Sequence, residues 1–240
     1  MPYNESETPC RQRITCRLLT TIFVLLFILP AWGADKSKDE ETLGKAAAVL
    51  QGMIDSKSVP SDVLARANCV IVLPSVKKFG FGVGGSGGRG PMVCRAGKNF
   101  SGRWSAPAMY TIGGASVGLQ IGGSSTDFVL LIMSQKGVDA MLQGKTKLGS
   151  DATAAAGPSG ATTAGTVGGT DVLTYGRASG LFAGMSLGGA TLQADDDANK
   201  RLYGKAVTAT EIVIENSVKT TLGGQALDSL LNTKVAKHSS

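Results

Sequence analysis

ANCVIVLPSVKKFGFGVGGSGGRGPMVCR, residues 67–95, decides how the chain folds. Its opening, from Cys69 to Leu73, is continuously apolar and rich in β-branched residues, the pattern of a strand buried on both faces. Pro74 ends that run. Lys77, Lys78 and Phe79 follow, and seven glycines lie between positions 80 and 90. Backbone so bare of side chains either bends tightly or comes close to another segment. The stretch reads as a glycine turn flanked by strands at 79–83 and 92–95.

Further strands lie outward of this block. WSAPAMYTIGGASVGLQIG, residues 104–122, gives strands at 108–112 and 116–121 separated by Gly113 and Gly114, and DFVLLIM, residues 127–133, is another buried strand. On the N-terminal side, Leu43, Ala46 or Ala47, Leu50 and Ile54 form one apolar stripe of a helix over 42–54, and a short second helix follows Pro60. On the C-terminal side a short helix covers 138–142. The Gly/Ala/Thr/Ser stretch 149–169 has linker composition, yet its alternating small residues at 151–157 suit a close-packed strand. Strands at 171–178 and 180–187 and helical segments at 208–216 and 225–232 complete the chain. The fold class is therefore α+β, in a length that suffices for one domain: a twisted, mainly antiparallel sheet, open to rolling into a barrel-like shape, flanked by N- and C-terminal helices.

Residues 1–33 read as a signal peptide. Arg11, Arg13 and Arg17 precede the apolar run LLTTIFVLLFILP, and Ala31 and Gly33 supply small residues for cleavage. An uncleaved anchor is the alternative, although the run falls short of the ~20 residues of a full span. Cleavage lowers the net charge from +6 to +5 and places the protein in the periplasm or outside the cell. Residues 34–41 form a charged linker, 42–233 the domain, and 234–240 a polar tail. The mild basic balance admits an anionic partner, but no Lys/Arg-dense stretch points to nucleic acid.

Two cysteines remain after cleavage, Cys69 and Cys94, each in a strand-like run. Export and an even count favour a disulfide; two buried thiols packed as small hydrophobes are the other reading. Three G-x-S-x-G matches surround Ser86, Ser116 and Ser186, but the lone histidine, His238, stands in the tail, so a serine hydrolase lacks its base. The chain reads as no enzyme, with no cofactor. A dinucleotide loop at 80–90 fails because strand, not helix, follows it. Asp195, Asp196 and Asp197 suit a solvated turn and helix cap, or a weak calcium site; zinc is unsupported. The positive signal is Lys77, Lys78, Arg89, Arg95 and Arg103 with Phe79 and Phe81 among them. Such a set suits an anionic membrane interface, or else consists of ordinary surface cations and core phenylalanines.

The chain resembles the SYLF domain family over residues 43–204. The resemblance rests on KAAAVLQGMI, on VPSDVLARANCVIVLPSVKKFGFGVGGSGGRGPMVCR, on WSAPAMYTIGGASVGLQIGGSSTDFVLLIM, on LGSDATAAAGPSG, and on YGRASGLFAGMSL and NKRLYG, in that order. It implies a lipid-binding, actin-regulator-like module; eukaryotic members join it to Src-homology or zinc-finger modules, bind phosphoinositides and act on actin. With the signal peptide, it implies an exported, stand-alone bacterial member. The expected function is non-enzymatic contact with anionic phospholipid at an envelope membrane. Lys77, Lys78, Arg89 and Arg103 would attract head groups, and Leu43, Leu50 and Ile54 of the initial helix would insert. Actin is not expected in that compartment. The alternative is a structural or protein-binding envelope module whose glycine-rich strands dock a partner edge to edge.

Overall fold

The computed structural model describes residues 32–235, except 82, 98, 118–121, 158–168, 179, 180, 185, 186 and 188. Most of residues 1–33, read above as a signal peptide, the tail beyond residue 235, Ser186 and His238 therefore lie outside the described residues. Lys36–Ser240 forms one compact unit; of a second, Met1–Asp35, only residues 32–35 are described.

The elements follow in this order: α1 (Trp32–Asp55), α2 (Ser61–Ala65), β1 (Cys69–Phe81), β2 (Val83–Cys94), β3 (Ala108–Val117), β4 (Gly122–Ile132), α3 (Gln135–Leu142), β5 (Lys145–Lys147), β6 (Ala154–Ala156), β7 (Val172–Ala178), β8 (Leu181–Gly184), β9 (Thr191–Ala194), α4 (Asp196–Tyr203), α5 (Ala209–Val213) and α6 (Gln225–Lys234). The strands make one sheet in the order β5-β9-β3-β2-β1-β4-β7-β6. β8 shares the outer edge of β7 with β6. Among the described pairings between named strands only β6–β7 is parallel.

The sheet must curl. Eight strands at about 4.8 Å spacing would put β5 and β6 about 34 Å apart if flat. Yet β5 and β6 are consecutive in the chain, and the step from Lys147 to Ala154 spans at most about 24 Å when fully extended. The real link is folded back on itself: the Gly149 N–H donates to the Ala152 carbonyl at 2.8 Å, and Leu148 bridges Ala152.

Curling gives the sheet an inner and an outer face. Cys69, Ile71, Leu73, Met92, Tyr110, Leu130, Val172 and Leu192, from strands on both halves, share one buried cluster with Val138 and Met141 of α3 and Ile212 of α5. That cluster is the concave interior. Val70, Val72, Val93, Val129, Leu131 and Leu173 point the other way, into a second cluster with α1, α2 and α6. Pleating explains the sharing-out: successive side chains alternate faces, so a run such as VIVL feeds both layers.

Two sequence expectations change. The glycine run is not a turn. Residues 83–94 form strand β2, paired with β1 on one side and β3 on the other. Glycine serves close approach instead: a Cβ on Gly88 would lie 2.8 Å from Val76 Cγ2, and one on Gly90 would lie 1.9 Å from the Val72 carbonyl oxygen. β1 runs on past Pro74 through a one-residue bulge between Leu73 and Val76, at which Ser75 takes φ 55° and donates its N–H to Asp127 Oδ1 at 2.9 Å. Likewise Gly113 and Gly114 do not divide β3. The second change is at residues 34–41, which are helical rather than a charged linker. The cause is tertiary: Asp39 is fully buried and gripped by Arg89 and Arg201, and Glu40 accepts from Thr221 Oγ1 at 2.9 Å and from the Gly223 N–H.

Cys69 and Cys94 face each other in the β1–β2 register, with Cα atoms 4.0 Å apart, and are joined as a disulfide on the inner face.

Candidate functional site

The residues singled out in the sequence part company in the fold. Lys77 and Lys78, adjacent in β1, point to opposite faces. Lys78 turns inward and sits 5.5 Å from the centre of the Phe128 ring, a cation–π contact. Lys77 is exposed on the outer face. Arg89 is also on the outer face, but its charge is engaged by Asp39 and, at 3.4 Å, by Asp195. Arg103 is exposed in the loop beyond β2, its carbonyl accepting from the Ala96 N–H. Counting along β2 from Gly87, the partner of Lys77, to Ala96 places Arg103 about 30 Å from Lys77. Arg95 is buried and stacks 4.4 Å from the Trp104 ring centre.

The proposed apolar insertion face is core. Leu43 is fully buried against Met109, Ala198 and Leu202, and Leu50 is fully buried in the outer-face cluster. Ile54 is partly buried and lines a cavity of about 580 Å³ at the ends of α1 and α6. The charges around that cavity largely pair off, Asp62 with Arg66 at 3.3 Å and Lys234 with Asp55 at 3.7 Å.

What the fold assembles instead is a trough on the outer face. Among the described residues, the helices pack on the half of that face nearest Cys69 and Cys94 and reach as far as Arg89, which Asp39 of α1 engages. On the uncovered half, strand pairing aligns Ser125, Lys77, Gly87, Gly113, Thr191 and Lys147 in one rung across β4, β1, β2, β3, β9 and β5. Directly paired residues of antiparallel strands share a face, so all six lie on the same side. The next rung carries Arg89, Thr111, Gln193 and Lys145. The middle of the trough is bare backbone: a Cβ on Gly87 or on Gly113 would meet nothing nearer than 3.9 Å. Lys77 stands on one side, with Lys145 and Lys147 on the other, four strands and about 19 Å away along the sheet. All three are exposed, and among the described residues none is in an ion pair. The nearest acid on the β5 side, Asp151, accepts from the Lys147 N–H at 2.7 Å, and its carboxyl is held below its ordinary value chiefly by that bond.

Lys145 and Lys147 were missed in the sequence. Their alternation in KTK is the pattern of a lysine-guarded edge strand, but three residues are too few for a periodicity argument.

Among the described residues the catalytic alternatives find no assembly. Ser86 lies mid-strand, its hydroxyl directed to the Gly114 carbonyl at 3.5 Å, and Ser116 lies in β3. Among the described residues no group of three His, Cys, Asp or Glu side chains could hold a metal ion. Asp195 caps α4, accepting from the Ala198 N–H at 3.0 Å.

The family described as "Ysc84: Las17-binding protein actin regulator" matches residues 113–234, about half of the chain. The chain belongs to the Ysc84 family. This is the SYLF resemblance under its other name. An SH3 domain-containing protein of Schizosaccharomyces pombe is 34% identical over 204 residues, which cover 80% of this chain and 46% of that one. Protein YSC84 of Saccharomyces cerevisiae is 33% identical over 188 residues, 73% of this chain and 39% of its own length. Human SH3 domain-containing YSC84-like protein 1 is 34% identical over 180 residues, 70% and 52% respectively. The chain thus spans about half the length of the curated relatives it matches. The Ysc84 description is that of a binding protein and regulator.

Proposed function

We propose that this Ysc84-family chain is a non-enzymatic, exported module that binds anionic phospholipid at an envelope membrane surface through the outer-face trough. The observation that carries the reading is the trio Lys77, Lys145 and Lys147, exposed, unpaired among the described residues, and aligned on one sheet face across bare glycine backbone. Side chains that do not protrude between the lysines let a flat, charged surface come close, and each lysine near such a surface contributes about 1 kcal/mol. The Cys69–Cys94 disulfide supports export, because such bonds persist in oxidising compartments. This replaces insertion by Leu43 and Leu50, which packing holds in the core.

Co-sedimentation with phosphatidylglycerol and with phosphatidylcholine vesicles at low salt is the test. Binding is expected to phosphatidylglycerol only, and K77E/K145E/K147E should weaken it by about a hundredfold or more. Equal binding to both vesicles, or an unaffected triple variant, defeats the reading.

A second reading follows from the family's own description as a Las17-binding actin regulator: a protein partner of the actin machinery. Co-sedimentation with actin filaments in the absence of lipid distinguishes it.

A further inference from the structure

On the other side of the molecule, α3 and α5 pack into the concave interior through Val138, Met141, Ile212 and Val213. Between them they leave a groove of about 440 Å³. Val138 and Leu142, one helical turn apart on α3, form its floor with Phe100, and Ile214, which closes α5, forms the facing wall. Ile214 keeps 36% of its surface exposed, which is unusual for a large apolar residue in this protein. The size, the apolar stripe of α3 and the facing Ile214 suit the apolar side chains of a further helix.

The charge at this groove runs against that of the whole chain. Asp139 lines it, and Glu215 follows Ile214 directly; both are exposed. Asp139 Oδ1 accepts from Gln135 Nε2 at 2.8 Å, but among the described residues neither carboxylate is in an ion pair, and no lysine or arginine lines the groove. Two acids without an ion pair among the described residues, beside an apolar floor and on a chain of net charge +6, repel an anionic membrane and attract a cationic apolar ligand.

We propose that the α3–α5 groove docks a basic amphipathic helical segment of a partner protein. Its apolar stripe would lie on Phe100, Val138, Leu142 and Ile214, and its lysines or arginines would meet Asp139 and Glu215. The groove belongs to the inner-face layer and the lysine trough to the outer face, so a chain held on a membrane by the trough would leave the groove free for this partner. The proposal does not depend on lipid binding.

The probe is a fluorescently labelled peptide of about fourteen leucine and lysine residues with the apolar stripe of a helix, titrated with the full chain and followed by anisotropy. Its counterpart has every lysine replaced by glutamate. The lysine peptide is expected to bind and the glutamate peptide not. Asp139→Lys and Ile214→Glu, both at exposed positions, should each weaken binding about tenfold or more, while Lys77→Glu should leave it unchanged. Three results overturn the proposal: no binding of the lysine peptide, equal binding of the two peptides, or Asp139→Lys and Ile214→Glu variants that bind like the parent. Vesicle binding by the parent chain, measured separately, keeps failure of this site distinct from failure of the lipid reading.

Discussion

A methyl group added at Gly90 would lie 1.9 Å from the Val72 carbonyl oxygen and 3.0 Å from Pro74 Cδ, whereas one at Gly87 would meet only the Ile112 carbonyl oxygen, at 4.0 Å. The two glycines are three residues apart in one strand and differ wholly in what surrounds them. Gly90→Ala should therefore destabilise by about 3 kcal/mol or more, as overpacking against backbone does. Gly87→Ala should stay within about 0.5 kcal/mol, as open surface positions do. Urea denaturation of both variants checks this; equal midpoints would mean that β1 does not bulge over β2. Asp39 is the other decisive residue. Removing it strands Arg89 and Arg201 around an empty centre, so Asp39→Ala should cost about 3 kcal/mol, near the lower end for a buried pair because both arginines keep some exposure. At this scale the sequence was only partly legible. Glycine density announces bare backbone but does not say whether the cause is a bend or a close neighbour. The charges at 34–41 read as solvated because the partners of Asp39 stand 50 and 162 residues further along the chain.

Among the elements, β1 and β2 carry the disulfide at the end of their pairing remote from the glycine-rich half. The loop it closes suggests a gain of about 3 kcal/mol through restriction of the unfolded chain. Thiol titration of the denatured, unreduced protein should find neither Cys69 nor Cys94 free, and reduction should lower the unfolding midpoint accordingly. Two titratable thiols would leave the pair as buried core residues. A second staple joins α3, β6 and β7. Asp171 accepts from Ser134 Oγ at 2.5 Å, from the Thr153 N–H at 2.9 Å and from Thr153 Oγ1 at 2.8 Å, while Ser134 caps α3. Burial alone would raise the Asp171 pKa, but these hydrogen bonds, with Lys136 nearby, outweigh it and hold the carboxyl below its ordinary value. The stabilisation is complete above the unfolded-state value, near 4, and is lost as pH falls through the lower folded-state value. Melting temperature should thus drop on acidification below about pH 4. Asp171→Asn should flatten that drop while costing about 1–3 kcal/mol at neutral pH; parallel melting curves across pH would exclude the staple. The apolar parts of β4 and α1 were legible, β4 from the continuous run at 127–133 and α1 from its stripe over 42–54, because each signal extends over many residues. β5, with only three, gave no period to read, and so its two lysines went unrecognised.

For the whole molecule, the curl separates two chemistries that the linear sequence interleaves. Lysines collect on the bare half of the outer face, and acids border the groove among the inner-layer helices. Attraction through exposed lysines is screened by salt, so vesicle binding by the trough should weaken steeply between about 0.01 and 0.15 M salt, while the apolar part of groove binding should persist. Equal salt sensitivity at both sites would count against this division. The α+β class and the antiparallel sheet follow from strand patterns alone; the curl does not, because it depends on which strands become neighbours.

The short link between β5 and β6 has a kinetic meaning. β1 and β2 come first in the chain and stand at the centre of the strand order, with later strands on either side. β5 and β6 finish at opposite rims yet are tethered by residues 148–153, so neither rim can peel away without pulling on the other. The two margins should behave as one foldon: in native-state hydrogen exchange the amides of Thr146 and Ala155 would open together, at the same free energy and the same dependence on denaturant, while those of Val70 and Val93 at the centre exchange only when the whole molecule unfolds.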